Sequence, residues 1–415
     1  MRHSWGQFLA WLLGLGVGCG VALAQPMPKP ETYALLIGIN NYRPYPETPS
    51  LPPLSYAESD ARKMAQALRD PHKGQVRKVR ILLDTEASKT AIEAELRDLA
   101  RRLGVSDTLI VYYSGHGMPS RTGQATLMPS DAKINDEETW LPLDRVQELV
   151  RQAGQGRGRL ILIVDACFSG QSLPGSRSFA IPGRKDFAKP QPPDLSGANV
   201  LLASSADTQP SWEDAELGGG VFTTYLLEAI SGKADANGDG YVTIGEAYRY
   251  AAVQVEAFSQ RKGTPQTPKL YGPDDYTLAL NPIAVAKSRL AGLKLAGHIT
   301  GEQFDALATW LDGPKQPEDL RLYQGGYLTN TQLTLLVNIG AIPGVPAGEK
   351  TDVRLKKLGA LRRSGKIRLE QLWALSRMVQ IGRAERDLSD YLSGKLSESR
   401  FLLRLQAGAV RGVPR

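Results

Sequence analysis

The chain has 415 residues, 42% of them hydrophobic and 22% charged, an ordinary globular composition with room for two to three domains. That excludes a fully disordered, collagen-like or polytopic membrane protein; two cysteines exclude a disulfide scaffold, and four histidines leave little for a His-rich metal site. The net charge of +7 is unevenly spread: residues 1–286 carry 29 Lys+Arg against 31 Asp+Glu, and residues 287–415 carry 21 against 12.

Arg2, an apolar run from Phe8 to Val21 and then Ala22-Leu23-Ala24 have the layout of a secretory signal peptide over 1–24, cleaved after Ala24. The run is shorter than a bilayer span needs. The expected address is secreted or periplasmic, with no transmembrane span after cleavage. A lipid-modified Cys19 is the alternative, with Gly16-Val17-Gly18 a poor match to a lipoprotein signal. Cleavage leaves Cys167 as the single cysteine, which must be buried and inert, paired with another chain, or reactive. Residues 25–32 read as a Pro-rich linker. Strands are expected at Tyr33–Ile39, Val76–Leu83, Thr108–Tyr113, Leu160–Val164 and Asn199–Ala203, and helices at Ala57–Leu68, Ser88–Leu103, Leu143–Val150 and Val221–Ile230. Several of these strands lack polar alternation, as in a sheet covered on both faces. The alternation predicts an α/β fold with a mostly parallel sheet, whose chemistry gathers beyond the carboxyl ends of the strands.

Residues 171–197 form a long Pro- and Gly-rich loop, expected to be exposed. Residues 235–246, Asp-Ala-Asn-Gly-Asp-Gly-Tyr-Val-Thr-Ile-Gly-Glu, match an EF-hand loop. Asp235, Asn237 and Asp239 would supply side-chain oxygens to calcium (Ca2+), with Tyr241 giving its carbonyl, Thr243 acting directly or through water, and Glu246 bidentate. No second such loop is evident. Beyond residue 285 a loose L-x-x-x-G-x-[IL]-[ST] pattern recurs around Gly297, Gly326, Gly365 and Gly394. It predicts a small all-α repeat domain over 285–415.

Two strands end in chemistry. One runs into Ser114-Gly115-His116-Gly117, the other into Asp165-Ala166-Cys167-Phe168-Ser169-Gly170. A cysteine nucleophile needs a base or cation beside it, and neighbouring parallel strands would bring one. These motifs resemble the catalytic halves of the caspase-like peptidases, with a His-to-Cys gap of 51 residues against roughly 50 in caspases. YALLIGINNY and SYAESDARKMAQAL are similar to that family's first strand and helix. The resemblance covers about residues 33–280 and implies a caspase-like peptidase domain over 33–284 with helices flanking the sheet.

It also implies that Cys167 attacks the scissile carbonyl, that His116 assists it and protonates the leaving amine, and that the amides of Gly117 and Cys167 form an oxyanion hole. Asp165 stands where caspases carry Gln. Such an Asp, with Asp60 on the first helix, is similar to the metacaspase pattern and implies a protein or peptide substrate with Arg or Lys at P1, the residue before the cut. Ser204, Ser205, Trp212, Glu213 and Asp214 follow the next strand as further substrate-cleft candidates.

In such enzymes the connection after the catalytic Cys is often self-cleaved. Here it carries Arg177, Arg184, Lys185 and Lys189, with Arg177 or the Arg184-Lys185 pair the expected cut. The competing reading is a catalytically silent caspase-like scaffold acting through its C-terminal repeats. The basic C-terminal third reads as solvated helix faces or as a contact for an anionic envelope or protein partner. Nucleic acid is disfavoured, because no concentrated Lys/Arg run or aromatic-stacking motif is present.

Overall fold

The computed structural model describes residues 30–70, 76–168, 175–177, 179–180, 199–206 and 209–415. The expected signal peptide, Cys19, and most of the 171–197 loop, including Arg184, Lys185 and Lys189, lie outside the described residues.

In chain order the peptidase part runs β1 (Thr32–Gly38), α1 (Ala57–Arg69), β2 (Lys78–Leu83), α2 (Lys89–Ala100), β3 (Thr108–Ser114), β4 (Gly117–Pro119), β5 (Ala125–Leu127), β6 (Leu141–Pro142), α3 (Leu143–Ala153) and β7 (Arg159–Asp165). It continues with β8 (Val200–Ala203), β9 (Glu213–Asp214), β10 (Gly219–Gly220), α4 (Val221–Glu228), β11 (Tyr241–Thr243), α5 (Ile244–Arg261), β12 (Lys269–Tyr271) and β13 (Thr277–Leu280). Thr32, assigned to the linker by sequence, already belongs to β1.

Six strands form one sheet in the order β12-β8-β7-β3-β1-β2. All neighbours are parallel except β12, which runs antiparallel to β8. Successive side chains on a strand face opposite ways, and the core divides accordingly. Leu35, Ile37, Leu109, Val111, Leu160 and Leu162 pack with Ile92 and Leu96 of α2 and Val146 and Leu149 of α3. Ala34, Leu36, Ile110, Tyr112, Ile161 and Ile163 pack with Met64 of α1, Phe222 of α4 and Ala251 of α5. Both faces are covered, which is why these strands carry no polar alternation.

Eight helices follow: α6 (Pro282–Leu295), α7 (Gly301–Asp312), α8 (Glu318–Gln324), α9 (Asn330–Asn338), α10 (Val353–Arg363), α11 (Leu369–Gln380), α12 (Arg386–Leu392) and α13 (Glu398–Gln406). Residues 31–415 form one compact unit, within which Ala286 to Val413 build a hydrophobic cluster of their own. Gly297, Gly326, Gly365 and Gly394 each follow a helix with φ of 71°, 75°, 73° and 82°, the left-handed conformation that glycine adopts most easily at a helix end. Gln303 donates to the Pro346 carbonyl at 2.9 Å and Gln371 to the Pro414 carbonyl at 3.0 Å, the same tie 68 residues on. Several of the region's cations are paired, among them Arg362 with Asp319, Arg354 with Asp352 and Lys287 with Asp312. Among the described residues no helix is long and apolar enough to cross a membrane.

Candidate active site

The register of β3 against β7 pairs Ser114 with Asp165, so the His116 and Cys167 segments leave the sheet side by side. Gly115 is required there: a Cβ would lie 2.5 Å from the Tyr113 hydroxyl. The His116 backbone N–H donates to Tyr42 Oη at 2.8 Å, and Tyr113 Oη donates to the His116 carbonyl at 2.7 Å. His116 is held from both sides of its backbone. A Cβ on Gly117 would meet the Phe168 ring at 2.7 Å and the Cys167 carbonyl at 3.1 Å, so this glycine lets the two loops touch. Cys167 is buried, and its thiol donates to the Gln209 carbonyl at 3.2 Å.

The His116 ring lies between two carbonyl oxygens, Pro52 at 2.8 Å from Nε2 and Arg177 at 2.8 Å from Nδ1. Burial holds its pKa below the ordinary value, against the pull of those carbonyls and Glu213. Burial thus favours the neutral ring, which donates to one of the two carbonyls and can take up a proton at its other nitrogen. The sign for stability follows: as pH falls below about 6.5, the unfolded chain takes up a proton that the folded site refuses, so stability drops. We expect the His116 ring resonance in Cys167→Ala to titrate below the ordinary histidine value, assigned by its loss in His116→Asn. A midpoint at or above that value would contradict the burial argument.

Arg177 contradicts the expectation of an exposed loop. It is 0% exposed. Its guanidinium contacts Asp60 Oδ2 at 2.6 Å, Asp165 Oδ2 at 2.8 Å and Glu213 Oε1 at 3.4 Å, and donates to the Asp165 carbonyl at 2.8 Å. Burial works against the Arg177 charge, but the Asp165, Asp60 and Glu213 carboxylates outweigh it and hold its pKa above the ordinary value. Burial also pushes the Asp60 carboxyl up, against the pull of Arg177. The backbone of this segment adds as a short antiparallel strand: Ser176 bridges Trp212, the Arg177 N–H donates to the Ser211 carbonyl at 2.8 Å, and the Glu213 N–H donates to the Gly175 carbonyl at 2.9 Å.

The structure thus brings Asp60, Asp165 and Glu213 together, with Trp212 beside them. Asp214 turns away to pair with Lys262 at 3.0 Å. Ser204 and Ser205 are buried; Ser204 Oγ donates to the Ala166 carbonyl at 3.2 Å, and among the described residues Ser205 Oγ has no hydrogen-bond partner.

Sequence reasoning missed the residues that hold the acids. Ser211 Oγ donates to Asp165 Oδ1 and Thr223 Oγ1 to Asp165 Oδ2, each at 2.6 Å, and the Gly220 N–H donates to Asp60 Oδ2 at 2.9 Å. Gln266, buried just beyond α5, accepts from the Trp212 N–H at 3.0 Å and donates to the Ser204 carbonyl at 2.9 Å. A side chain that braces another's backbone, and a carbonyl such as Pro52, have no motif to betray them.

The 235–246 loop is folded by its own polar groups. Gly238 and Gly240 take φ of 71° and 90°. Asp235 Oδ2 accepts from the Gly240 N–H, Asn237 Oδ1 from the Asp239 N–H and Asp239 Oδ1 from the Tyr241 N–H. β11, which begins at Tyr241, pairs antiparallel with β13, so a strand of the same domain lies beside the loop. Among the described residues, Asp235 Oδ1 is buried without a hydrogen-bond partner, which suits a cation. Glu246 is engaged elsewhere: it accepts from the Thr243 N–H and hydroxyl at 2.9 Å and completes the capping box of α5. Among the described residues no three His, Cys, Asp or Glu side chains converge as a metal site.

Comparison with known proteins gives these features a family. A 151-residue stretch is 30% identical to Metacaspase-4 of Arabidopsis thaliana, and the match covers 33% of this chain and 33% of that protein. The chain is also similar to a solved Geobacter sulfurreducens protein, with 21% identity, a TM-score of 0.43 and coverage of 59% of this chain and 95% of that one. For Caspase-1 of Spodoptera frugiperda the values are 14%, 0.42, 60% and 91%. The profile of the Caspase domain matches residues 31–273; more than half of the chain, with both strand-end motifs inside it, belongs to the caspase-domain peptidase family.

Proposed function

We propose that this chain is an exported cysteine endopeptidase that cuts after basic residues and processes its own 171–197 loop after Arg177. The observation that carries this reading is Arg177 itself, buried against three carboxylates with its carbonyl on the His116 ring. Cys167 gives its proton to His116 and attacks the carbonyl carbon after P1. The oxyanion is met by the N–H groups of Gly117 and Cys167. His116 then protonates the leaving amine, and a thioester remains on Cys167. Water, activated by the same imidazole, hydrolyses it and restores the thiol.

The direct test is hydrolysis of fluorogenic peptides with Arg, Lys or Asp at P1. Arg and Lys peptides should be cleaved and the Asp peptide left intact, because an Asp at P1 would add a fourth carboxylate, a buried like charge, to the pocket. Preference for Asp would overturn the pocket assignment.

Calcium binding at 235–246 is the second part of the proposal, supported by the loop's left-handed glycines and the unpartnered Asp235 oxygen. Asp235, Asn237, Asp239, Thr243 and Glu246 would hold the ion with the Tyr241 carbonyl. A cation bound only to the folded state raises the thermal midpoint, by about 2.7 kcal/mol of stability at a hundredfold excess over Kd. Glu246→Gln should weaken that shift while still capping α5, since Gln serves equally in a capping box. No calcium-dependent shift in metal-stripped protein would count against the site.

A further inference from the structure

The segment bearing Arg177 continues past the bond it offers. With Arg177 at P1, Ser176 and Gly175 occupy P2 and P3 against Trp212 and Glu213. Counting onward along the sequence, Ser178 is P1′ and Phe179 is P2′. Ser178 lies outside the described residues. Phe179 is 3% exposed. Its ring meets the His116 imidazole edge-on, centroids 4.8 Å apart and planes at 67°. Tyr42 lies against the same imidazole at 5.1 Å. Phe179 belongs to the cluster that holds Tyr42, Leu51, Met118 and Phe168.

An aromatic ring in a Pro- and Gly-rich connection is buried only if something receives it, and here the receiver is the imidazole that serves the scissile bond. We propose that the cleft carries an aromatic-accepting subsite on the leaving-group side, so that preferred substrates join Arg at P1 to an aromatic residue at P2′. This rests on the reading of Arg177 as P1. The physical reason is twofold. A ring with its edge toward the imidazole removes apolar surface from water. It also anchors the leaving-group strand, so that the scissile peptide is presented to Cys167 in one geometry, and binding energy away from the reacting atoms improves turnover.

The experiment uses the calcium-supplemented full-length protein and internally quenched peptides of sequence Gly-Ser-Arg-Ser-Xaa, with Phe, Tyr, Ala or Asp at the last position. Phe and Tyr peptides should exceed the Ala peptide in kcat/KM by about ten- to a hundredfold, the range for one apolar side chain in a pocket, and the Asp peptide by more. Equal rates for Phe, Ala and Asp would overturn the subsite while leaving the P1 reading intact. Failure to cut any of the four would overturn both. Within the chain, Phe179→Ala should slow self-cleavage after Arg177, followed by intact mass, and Phe179→Tyr should restore it. Phe179→Ala maturing at the wild-type rate would also overturn the subsite.

Discussion

Cys167→Ala should leave the chain in one piece and reduce hydrolysis of Arg peptides to background, a loss of at least about 10⁴-fold, as removal of a covalent nucleophile does elsewhere. The fold should persist. Cys167 is buried, Ala is smaller, and the thiol's hydrogen bond to the Gln209 carbonyl is a weak one. Circular dichroism should therefore match the wild type. His116→Ala should give the same kinetic result, but at a cost in stability, because it removes a buried ring that lies against the Pro52 and Arg177 carbonyls and donates to one of them. Intact-mass spectrometry should show two associated fragments for the wild type and one chain for Cys167→Ala. A cut at Arg177 that survives in the mutant would point to another protease; peptide hydrolysis that survives would remove Cys167 from the mechanism.

The second large effect is expected from the smallest change. Gly220 sits at φ −63°, ψ 134°, a conformation open to any residue, so alanine there brings no backbone strain. Its Cβ, however, would lie 2.5 Å from the Arg177 Nη2, 2.7 Å from Asp165 Oδ2 and 2.9 Å from Asp60 Oδ2. Each partner is fixed, the acids by Ser211, Thr223 and the Gly220 amide itself. Gly220→Ala should fill the space a P1 guanidinium needs and lower kcat/KM for Arg peptides by more than about a hundredfold, the equivalent of roughly 3 kcal/mol. Self-cleavage after Arg177 should fail with it. Wild-type kinetics with Arg peptides would mean that the pocket lies elsewhere.

The parts of this site legible in the sequence were those whose chemistry is local. The apolar runs of β3 and β7 announce a covered parallel sheet, and the His and Cys motifs follow each directly. Asp60 was visible on its helix only through the family resemblance. The rest depends on long-range closure. Glu213 is visible in the sequence only as one of five residues following a strand; β9 and β10, two residues each, are too short for any periodicity to show that they deliver Glu213 and Gly220. Gln266 reaches the pocket from a turn 101 residues beyond Asp165. Arg177 could be named as a cut site from its charge, but its burial needs acids from α1, β7 and β9, and the exposed loop expected by composition was wrong at that residue. Glu246 stands out in the sequence as an ion ligand by its position, whereas its second use, capping α5 through Oε2, shows only in the structure.

The strand formed by Gly175–Arg177 is joined to the end of β7, and only seven residues separate Phe168 from Ser176. A ligand on so short a tether experiences an effective concentration in the millimolar range. Breaking the bond after Arg177 does not change that tether. It converts the occupant into a product with a new carboxylate, still linked to the nucleophile's own loop and still facing Asp60, Asp165 and Glu213. In a chain cut there, a free substrate would have to compete with a resident rival at millimolar strength, which would raise its apparent KM. On the proposed self-cleavage, the onset of activity toward other proteins would be set by how readily the cut strand lifts away, and would lag behind the cut itself.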